Sequence, residues 1–251
     1  MRRSHDAQPS VRPVTVVADA PFVTNPRERD MAHVQLSPAQ VAVVATGRLA
    51  IALPDSAPRL VPARYRYAKR SLDLIVAALG LLVCSPVIAL LALLVRLDSP
   101  GPAFFIQTRV GQYGTLFPIF KLRTMRVPEP MGITDFADDA ARVTHVGRYL
   151  RRWSLDELPQ LLNVLRGDMS LVGPRPERPE IVLSRYQPWQ YARFEVPQGL
   201  TGWWQITDRG HTRLCDDTAN DLLYLERASF WFDLKILART IPAVIRQAGL
   251  L

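Results

Sequence analysis

The stretch from Leu74 to Val95, LIVAALGLLVCSPVIALLALLV, decides the fold because it contains no charged residue. As a helix, a run of this length spans the ~30 Å hydrocarbon core of a bilayer. Ser85 and Pro86 lie at its middle, and a proline removes one backbone donor and clashes with the carbonyl group four residues earlier. We therefore expect a membrane helix broken at Ser85-Pro86, with the serine hydroxyl helping to satisfy the exposed backbone group.

Two topologies remain open for this run. One is a spanning helix that tolerates a proline kink. The other is a re-entrant helix that enters one leaflet and returns to the same face. A basic cluster within residues 64–70 precedes the run, and further cations follow it from Arg96 onward. Positive charge on both flanks favours re-entry with both ends on the cytoplasmic side, although the pattern alone leaves both topologies open.

The apolar run divides the chain into three predicted regions. Residues 1–63 are rich in proline and form a loosely ordered extension, residues 64–97 hold the basic cluster and the membrane helix, and residues 98–251 form a cytoplasmic domain. In that domain, residues 103–107 and 117–122 are predicted to pair as a β-hairpin, and residues 128–140 are an acidic loop. The predicted fold class is α+β, mainly helical, with a re-entrant (monotopic) membrane helix, a β-hairpin and amphipathic surface helices.

The C-terminal stretch 216–247 is predicted to be two helices. The second is basic and amphipathic, and it is expected either to lie on a membrane surface or to pack on the domain.

Composition narrows the class of partner. The chain carries 31 Lys and Arg against 23 Asp and Glu, a net charge of +8, which favours an anionic partner: nucleic acid, an anionic lipid surface or a phosphate-bearing substrate. Cys84 and Cys215 are too few for a disulfide framework or a metal cage. The sequence contains no phosphate-binding glycine loop, no dinucleotide glycine fingerprint and no serine nucleophile motif.

The segment RRWSLDELPQ, residues 151–160, is the strongest candidate for chemistry. Ser154 and Glu157 have the spacing of a capping box, which would start a helix at Leu155, whereas Pro159 favours a start nearer Leu158. In either case Asp156 and Glu157 lie at a helix N-terminus. For an arbitrary acidic pair, complementing the helix dipole is the commoner role. The functional alternative is that Asp156 stays ionised as a nucleophile towards phosphorus, with Arg151 and a divalent metal relieving the charge repulsion.

Three further groups of residues are candidates for substrate binding. Arg175 lies between two prolines that stiffen its backbone, which suits a guanidinium that grips a diphosphate, although a structural arginine is the commoner case. Lys121 and Arg123 are alternating cations at the end of the second predicted strand and share one face, which is most often a solvated edge. Thr201 and Gln205 belong to the turn-rich segment PQGLTGWWQ, which is suited to cradling a nucleobase or to ordinary packing.

The motifs occur in an order that resembles the monotopic phosphoglycosyl transferases, or bacterial sugar transferases, over residues 65–250. The resemblance rests on Lys69-Arg-x-x-Asp73, the proline-broken run, Lys121-Leu-Arg-Thr-Met125, Ser154-Leu-Asp-Glu-Leu-Pro-Gln160, Gly167-Asp-Met-Ser170, Val172-Gly-Pro-Arg-Pro176 and Pro197-x-Gly-x-Thr-Gly202. Any one of these motifs is weak, but the ordered set is specific.

The resemblance implies a phosphoglycosyl transferase that moves a sugar 1-phosphate from a UDP-sugar to undecaprenyl phosphate and releases UMP. It implies that Asp156 attacks the sugar-bearing phosphate, that Glu157 is its dyad partner, and that Mg2+ binds beside Asp156. It also implies phosphate contacts from Arg151, Arg175 and Lys121, and a location on the cytoplasmic face of the bacterial inner membrane. The reaction would be the first membrane step of exopolysaccharide or glycoconjugate assembly.

Two alternatives come from other functional classes. A membrane-bound scaffold of the same fold has no need of the acidic dyad. A nucleic-acid-binding protein would need aromatic residues interleaved with its cations, and the sequence has none in that arrangement, so no nucleic-acid partner is expected. The expected partners are a UDP-sugar, undecaprenyl phosphate and an anionic membrane, and a homodimer stays open.

Overall fold

The fold is described from a computed structural model, which covers residues 47–49, 62–127, 141–207 and 218–248. The predicted acidic loop at 128–140 and most of the predicted extension at 1–63 lie outside the described residues. Residues 47–49 are an exception: they lie against the hairpin, where the Leu49 amide donates to the Gly114 carbonyl and Leu49 is buried.

The charge-free run forms the central part of one long helix, α1, which extends from Ala63 to Asp98. The predicted break is wrong at the level of secondary structure, because the helix continues through Ser85-Pro86 with the proline inside it. The Ser85 hydroxyl donates to the Leu82 carbonyl at 3.1 Å. Leu82 stands four residues before Pro86, so its carbonyl lacks the usual amide donor and the serine supplies one, as predicted.

Both halves of α1 contact the same folded domain. Arg70 donates to the carbonyls of Val164 and Leu165 at 2.7 and 2.8 Å. Near the other end, Val95 is buried with Leu122 in a second apolar cluster. Between these contacts, α1 presents a row of exposed apolar side chains to its surroundings: Leu74, Ile75, Val76, Leu79, Leu82, Val83, Val87, Leu90, Leu93, Leu94 and Leu97.

The domain begins with the predicted hairpin. Strand β1 (Phe104–Val110) pairs antiparallel with β2 (Leu116–Leu122), and Phe105 lies opposite Lys121. A second, parallel pair is formed by two short strands, β3 (Ser170–Val172) and β4 (Gly199–Thr201). The hairpin prediction is confirmed, with β1 three residues longer at its end than expected.

Short helices connect and cover these strands. They are α2 (His145–Arg152), the 3-10 helix Leu155–Gln160, α3 (Leu161–Arg166), α4 (Pro179–Arg185), the 3-10 helix Pro188–Glu195, α5 (Trp203–Thr207), α6 (Ala219–Arg227) and α7 (Phe230–Ala248). Gly167 ends α3 as predicted, with a φ of 93° that favours glycine. The largest apolar cluster joins α1, β2, α3, β3 and α7.

A buried polar network fastens α1 to α7. Lys69 Nζ forms an ion pair with Asp233 at 2.7 Å, and its side chain and that of Asp233 are 8% and 1% exposed. Lys69 also donates to the Val172 carbonyl at 2.8 Å. The same carboxylate accepts hydrogen bonds from the hydroxyls of Tyr65 and Tyr224, both at 2.9 Å. Every polar group at this junction is therefore paired, which a buried ion pair requires.

The two predicted C-terminal helices are confirmed as α6 and α7, and α7 packs on the domain through part of its surface. Asp233 and Ile236 are buried against the domain. Trp231, Ile241 and Ile245 are exposed, with 79%, 67% and 58% of their surfaces accessible. The apolar residues of α7 thus cover both an inner and an outer face. The outer face exposes these large apolar side chains beside Lys235 and Arg239, whereas the outer face of a soluble helix is usually polar throughout.

Candidate active site

Asp156 and Glu157 lie in the first turn of the 3-10 helix Leu155–Gln160. The helix begins where the capping box predicted, but the box itself is not formed. Ser154 adopts a left-handed conformation with φ 54°, and its side chain makes no capping hydrogen bond. The Glu157 carboxylate contacts the hairpin through Lys121 of β2.

Glu157 brings together two cations from distant parts of the chain. Its Oε1 atom accepts from Lys121 Nζ of β2 at 2.8 Å and from Arg175 Nη2 at 3.0 Å. The three side chains are between 13% and 25% exposed. Lysine carries three N–H donors and arginine carries five, so cations held in this way can also bind a phosphate group.

The loop that carries Arg175 is fixed from two sides. The Gly199 amide of β4 donates to the Pro174 carbonyl at 2.7 Å. Arg193 donates to the Arg175 carbonyl at 2.6 Å and forms a buried ion pair with Asp221 at 2.8 Å. The sequence predicted a stiffly held Arg175 from its flanking prolines, and the structure adds Arg193, which sequence reasoning missed.

The charges of the site act on one another. Burial and the neighbouring Glu157 raise the pKa of the Asp156 carboxyl, while Lys121 and Arg175 lower it. Burial, together with Arg175, lowers the pKa of Lys121, and Glu157 raises it in part. Two carboxylates and two cations are thus held together in a partly desolvated site, where electrostatic interactions are stronger than in water.

A small polar cleft forms around these residues. It is lined by Arg109, Ile119, Lys121, Glu157, Gln160, Arg175, Pro176, Gly199 and Leu200. Burial lowers the pKa of Arg109 to about 10, and the ion pair with Glu177 at 3.3 Å offsets part of this shift. Arg109 lies on β1 and sequence reasoning did not assign it to the site.

The chemistry of the donor set fits magnesium. Among the described residues, no group of three or more His, Cys, Asp or Glu side chains is arranged to hold a metal ion. Mg2+ does not need such a group, because it is commonly held by one or two carboxylates together with substrate phosphates. Asp156 is a carboxylate close to the cations Lys121 and Arg175, so it is suited to be the protein ligand of such an ion.

The order of the motifs agrees with comparisons to known proteins. The family profile described as bacterial sugar transferase matches residues 64–247. The chain belongs to the bacterial sugar transferase family. The predicted family is thereby confirmed, and with it the prediction that the chain is a transferase enzyme.

Curated members of the family show what its relatives do. A UDP-glucose:undecaprenyl-phosphate glucose-1-phosphate transferase of Caulobacter vibrioides is 46% identical over 187 residues, covering 70% of this chain and 69% of that protein. An Escherichia coli K12 enzyme with the same name is 43% identical over 188 residues, covering 70% of this chain and 40% of that protein. A UDP-N-acetylgalactosamine-undecaprenyl-phosphate N-acetylgalactosaminephosphotransferase of Aeromonas hydrophila is 38% identical over 192 residues, covering 74% of this chain and 45% of that protein. The chain therefore spans less than half the length of the last two relatives.

Two of the predicted phosphate-binding residues lie elsewhere. Arg123 follows the end of β2 and is buried, and it donates to the carbonyls of Pro100 and Ser99 at the end of α1. It caps α1, so the expectation that it shares one face with Lys121 is wrong. Arg151 Nε donates to Thr124 Oγ1 at 2.8 Å and is not part of the polar cleft lining.

Thr201 and Gln205 lie in a second, apolar cleft of about 190 Å³. Thr201 Oγ1 is 2.8 Å from Thr240 Oγ1 of α7, and Gln205 Nε2 donates to the Leu200 carbonyl at 3.2 Å. Glu157 and Leu200 line both clefts, so the two clefts adjoin at the acidic dyad.

Proposed function

We propose that this protein transfers a sugar 1-phosphate from a UDP-sugar to undecaprenyl phosphate through a covalent intermediate on Asp156. The observation that carries the proposal is the pairing of Glu157 with both Lys121 and Arg175, one residue from a carboxylate of raised pKa. Relatives that are 43–46% identical are named as UDP-sugar:undecaprenyl-phosphate phosphosugar transferases, which supports the proposed substrates.

In the first half-reaction, an oxygen of the Asp156 carboxylate attacks the phosphorus that bears the sugar. The bond from that phosphorus to the bridging oxygen breaks, and UMP leaves with the electron pair. Lys121 and Arg175 bind the phosphate oxygens and offset the negative charge that builds up as one anion attacks another. Asp156 then carries the phospho-sugar as an acyl phosphate.

In the second half-reaction, an oxygen of the polyprenyl phosphate attacks the same phosphorus. The bond between that phosphorus and Asp156 breaks, which regenerates the carboxylate and gives a polyprenyl diphosphate sugar. Glu157 is the dyad partner. Its Oε1 atom already accepts from two cations, so the geometry favours a role in holding Lys121 and Arg175 in place over a role as a base.

Magnesium is proposed to bind at Asp156 together with the diphosphate. When bound, it supplies positive charge that stabilises the leaving group and the transferring phosphoryl group. Chelation with EDTA is expected to abolish UMP release, and added magnesium is expected to restore it.

The proposed setting is the cytoplasmic face of the bacterial inner membrane, with α1 inserted as a re-entrant helix. Its contacts to the domain come from both halves, up to Leu81 in the first half and from Leu91 in the second. The intervening residues 82–90 rise only about 14 Å as a helix, which is half of the ~30 Å core of a bilayer. A spanning helix would have to carry part of the domain into the bilayer, so a monotopic helix is the simpler arrangement. The anionic membrane surface and a homodimer stay predictions.

The test is UMP release by detergent-purified protein with undecaprenyl phosphate, magnesium and a panel of UDP-sugars. We expect release with at least one sugar and none from Asp156→Asn, which keeps the shape of the side chain and removes the nucleophilic charge. A burst of one UMP per protein without any lipid would support the covalent intermediate. Equal release from Asp156→Asn and the parent protein would overturn the assignment of Asp156.

A further inference from the structure

We propose that the apolar cleft between the Leu155–Gln160 helix and α7 binds the first isoprene units of the acceptor lipid. This inference rests on the proposed function and assigns a site to one of its two substrates. Most of the lining is hydrocarbon, contributed by Leu158, Leu161, Leu171, Leu237, Ala243 and Val244.

The position of the cleft relative to the charges fits an amphiphile. Glu157 lines the apolar cleft on one side and the polar cleft on the other, where it pairs with Lys121 and Arg175. A ligand with an anionic head and an apolar tail can therefore place its phosphate at the cations and its chain against α7. A nucleotide sugar has no comparable apolar segment and needs many hydrogen-bond partners.

The polar groups of the cleft are few and partly occupied. Thr201 and Thr240 are hydrogen-bonded to each other. Gln205 Oε1 is buried and has no hydrogen-bond partner among the described residues. This buried acceptor would suit a hydroxyl of the donor sugar. The experiment below therefore measures the donor step and the acceptor step separately.

The cleft also lies next to the surfaces expected to face lipid. Leu161, in its wall, approaches α1 so closely that a Cβ atom placed on Gly80 would lie 3.1 Å from Leu161 Cδ1. The other wall is α7, whose outer face exposes Ile241 and Ile245. The cleft thus lies between α1 and α7, two helices that both carry exposed apolar side chains.

The experiment fills the cleft and measures the two half-reactions separately. Ala243→Trp places an indole in the cleft, and Ala238→Trp is the matched control because Ala238 is exposed on the same helix. The donor step is the burst of UMP without lipid. The acceptor step is transfer to a short isoprenyl phosphate with two isoprene units, which does not depend on partition into a membrane.

We expect Ala243→Trp to lower kcat/KM for the short acceptor by at least about tenfold, the scale on which apolar pockets discriminate, while the UMP burst persists. The control is expected to change neither step. Both variants could instead keep activity with the short acceptor and lose it only with long lipids in vesicles. The effect would then be on membrane partition, and the cleft assignment would be overturned.

Two other outcomes would also overturn the cleft assignment. One is loss of the UMP burst at an unchanged unfolding temperature, which would assign the cleft to the donor. The other is no change in either step. If Ala243→Trp does not fold, Val244→Thr decides by the same comparison, because it adds a hydroxyl to the cleft at nearly constant volume. Absence of a UMP burst from the parent protein would overturn the proposed function itself, whereas a burst without the acceptor effect overturns the cleft assignment alone.

Discussion

Replacing Lys69 by methionine should destabilise the whole domain, because it leaves the charge of Asp233 buried without its cation. Methionine nearly matches the volume of lysine, so the change removes the charge and the hydrogen bonds and creates little cavity. Asp233 is 1% exposed and lies 2.7 Å from Lys69 Nζ. Removal of one partner from a buried ion pair typically costs about 3–5 kcal/mol.

The expected fall in Tm follows from the size of the chain. For proteins of this length, 1 kcal/mol corresponds to about 2–4 °C, so Lys69→Met is expected to lower Tm by about 6–20 °C. The double variant Lys69→Met/Asp233→Asn should recover at least about half of that loss. Asparagine removes the unpaired charge and keeps an oxygen that can accept from the Tyr65 and Tyr224 hydroxyls.

The assay is thermal unfolding in detergent, followed by the fluorescence of the five tryptophans. Arg66→Met is the matched control, since Arg66 is exposed on the same helix and its loss should change stability by no more than about 0.5 kcal/mol. A Tm for Lys69→Met within about 2 °C of the parent would refute the reasoning, because it would mean that Asp233 reaches water or another cation. A double variant no more stable than the single one would refute it as well.

Three further predictions concern the site and its supports. Arg175→Leu removes a cation that lowers the pKa of Asp156, so this pKa should rise. The acid limb of the pH profile of the UMP-burst rate, measured at fixed magnesium, should therefore move to higher pH, and a shift to lower pH would contradict the prediction. Gly147→Ala should lower the free energy of unfolding in urea by about 3 kcal/mol or more, because the new Cβ atom would lie 2.1 Å from the Thr124 carbonyl oxygen. An unchanged urea midpoint would show that the structure relaxes around this contact. Arg193→Met should lower Tm by about 6–20 °C through loss of a buried ion pair, and a normal Tm with reduced donor turnover would instead indicate a role limited to positioning Arg175.

Local patterns in the sequence predicted the parts of the fold that depend on neighbouring residues. The charge-free run predicted α1, and residues 103–107 and 117–122 were correctly expected to pair as a hairpin. The order of the motifs predicted the family, because an ordered set of short motifs is far less frequent by chance than any one of them. Ser85 was correctly expected to satisfy the backbone group exposed by the proline.

Interactions between distant residues could not be predicted in the same way. Glu157 is 36 residues from Lys121 and 18 from Arg175, and no local pattern shows that one oxygen accepts from both. Arg123 was placed on the face of Lys121 because strand alternation was extended by one residue beyond Leu122, where the strand ends. The packing of α7 stayed open for a related reason: apolar residues surround much of the helix, so periodicity alone did not indicate which of them face the domain.

The ion pair between α1 and α7 also sets a condition on biosynthesis. Asp233 is made 164 residues after Lys69, which takes about 8–33 s at about 5–20 residues per second. During that interval the ammonium group of Lys69 has no carboxylate from α7 and must remain hydrated or pair with another anion. A nascent chain released before α7 is made would therefore lack the ion pair that holds α1 to the domain.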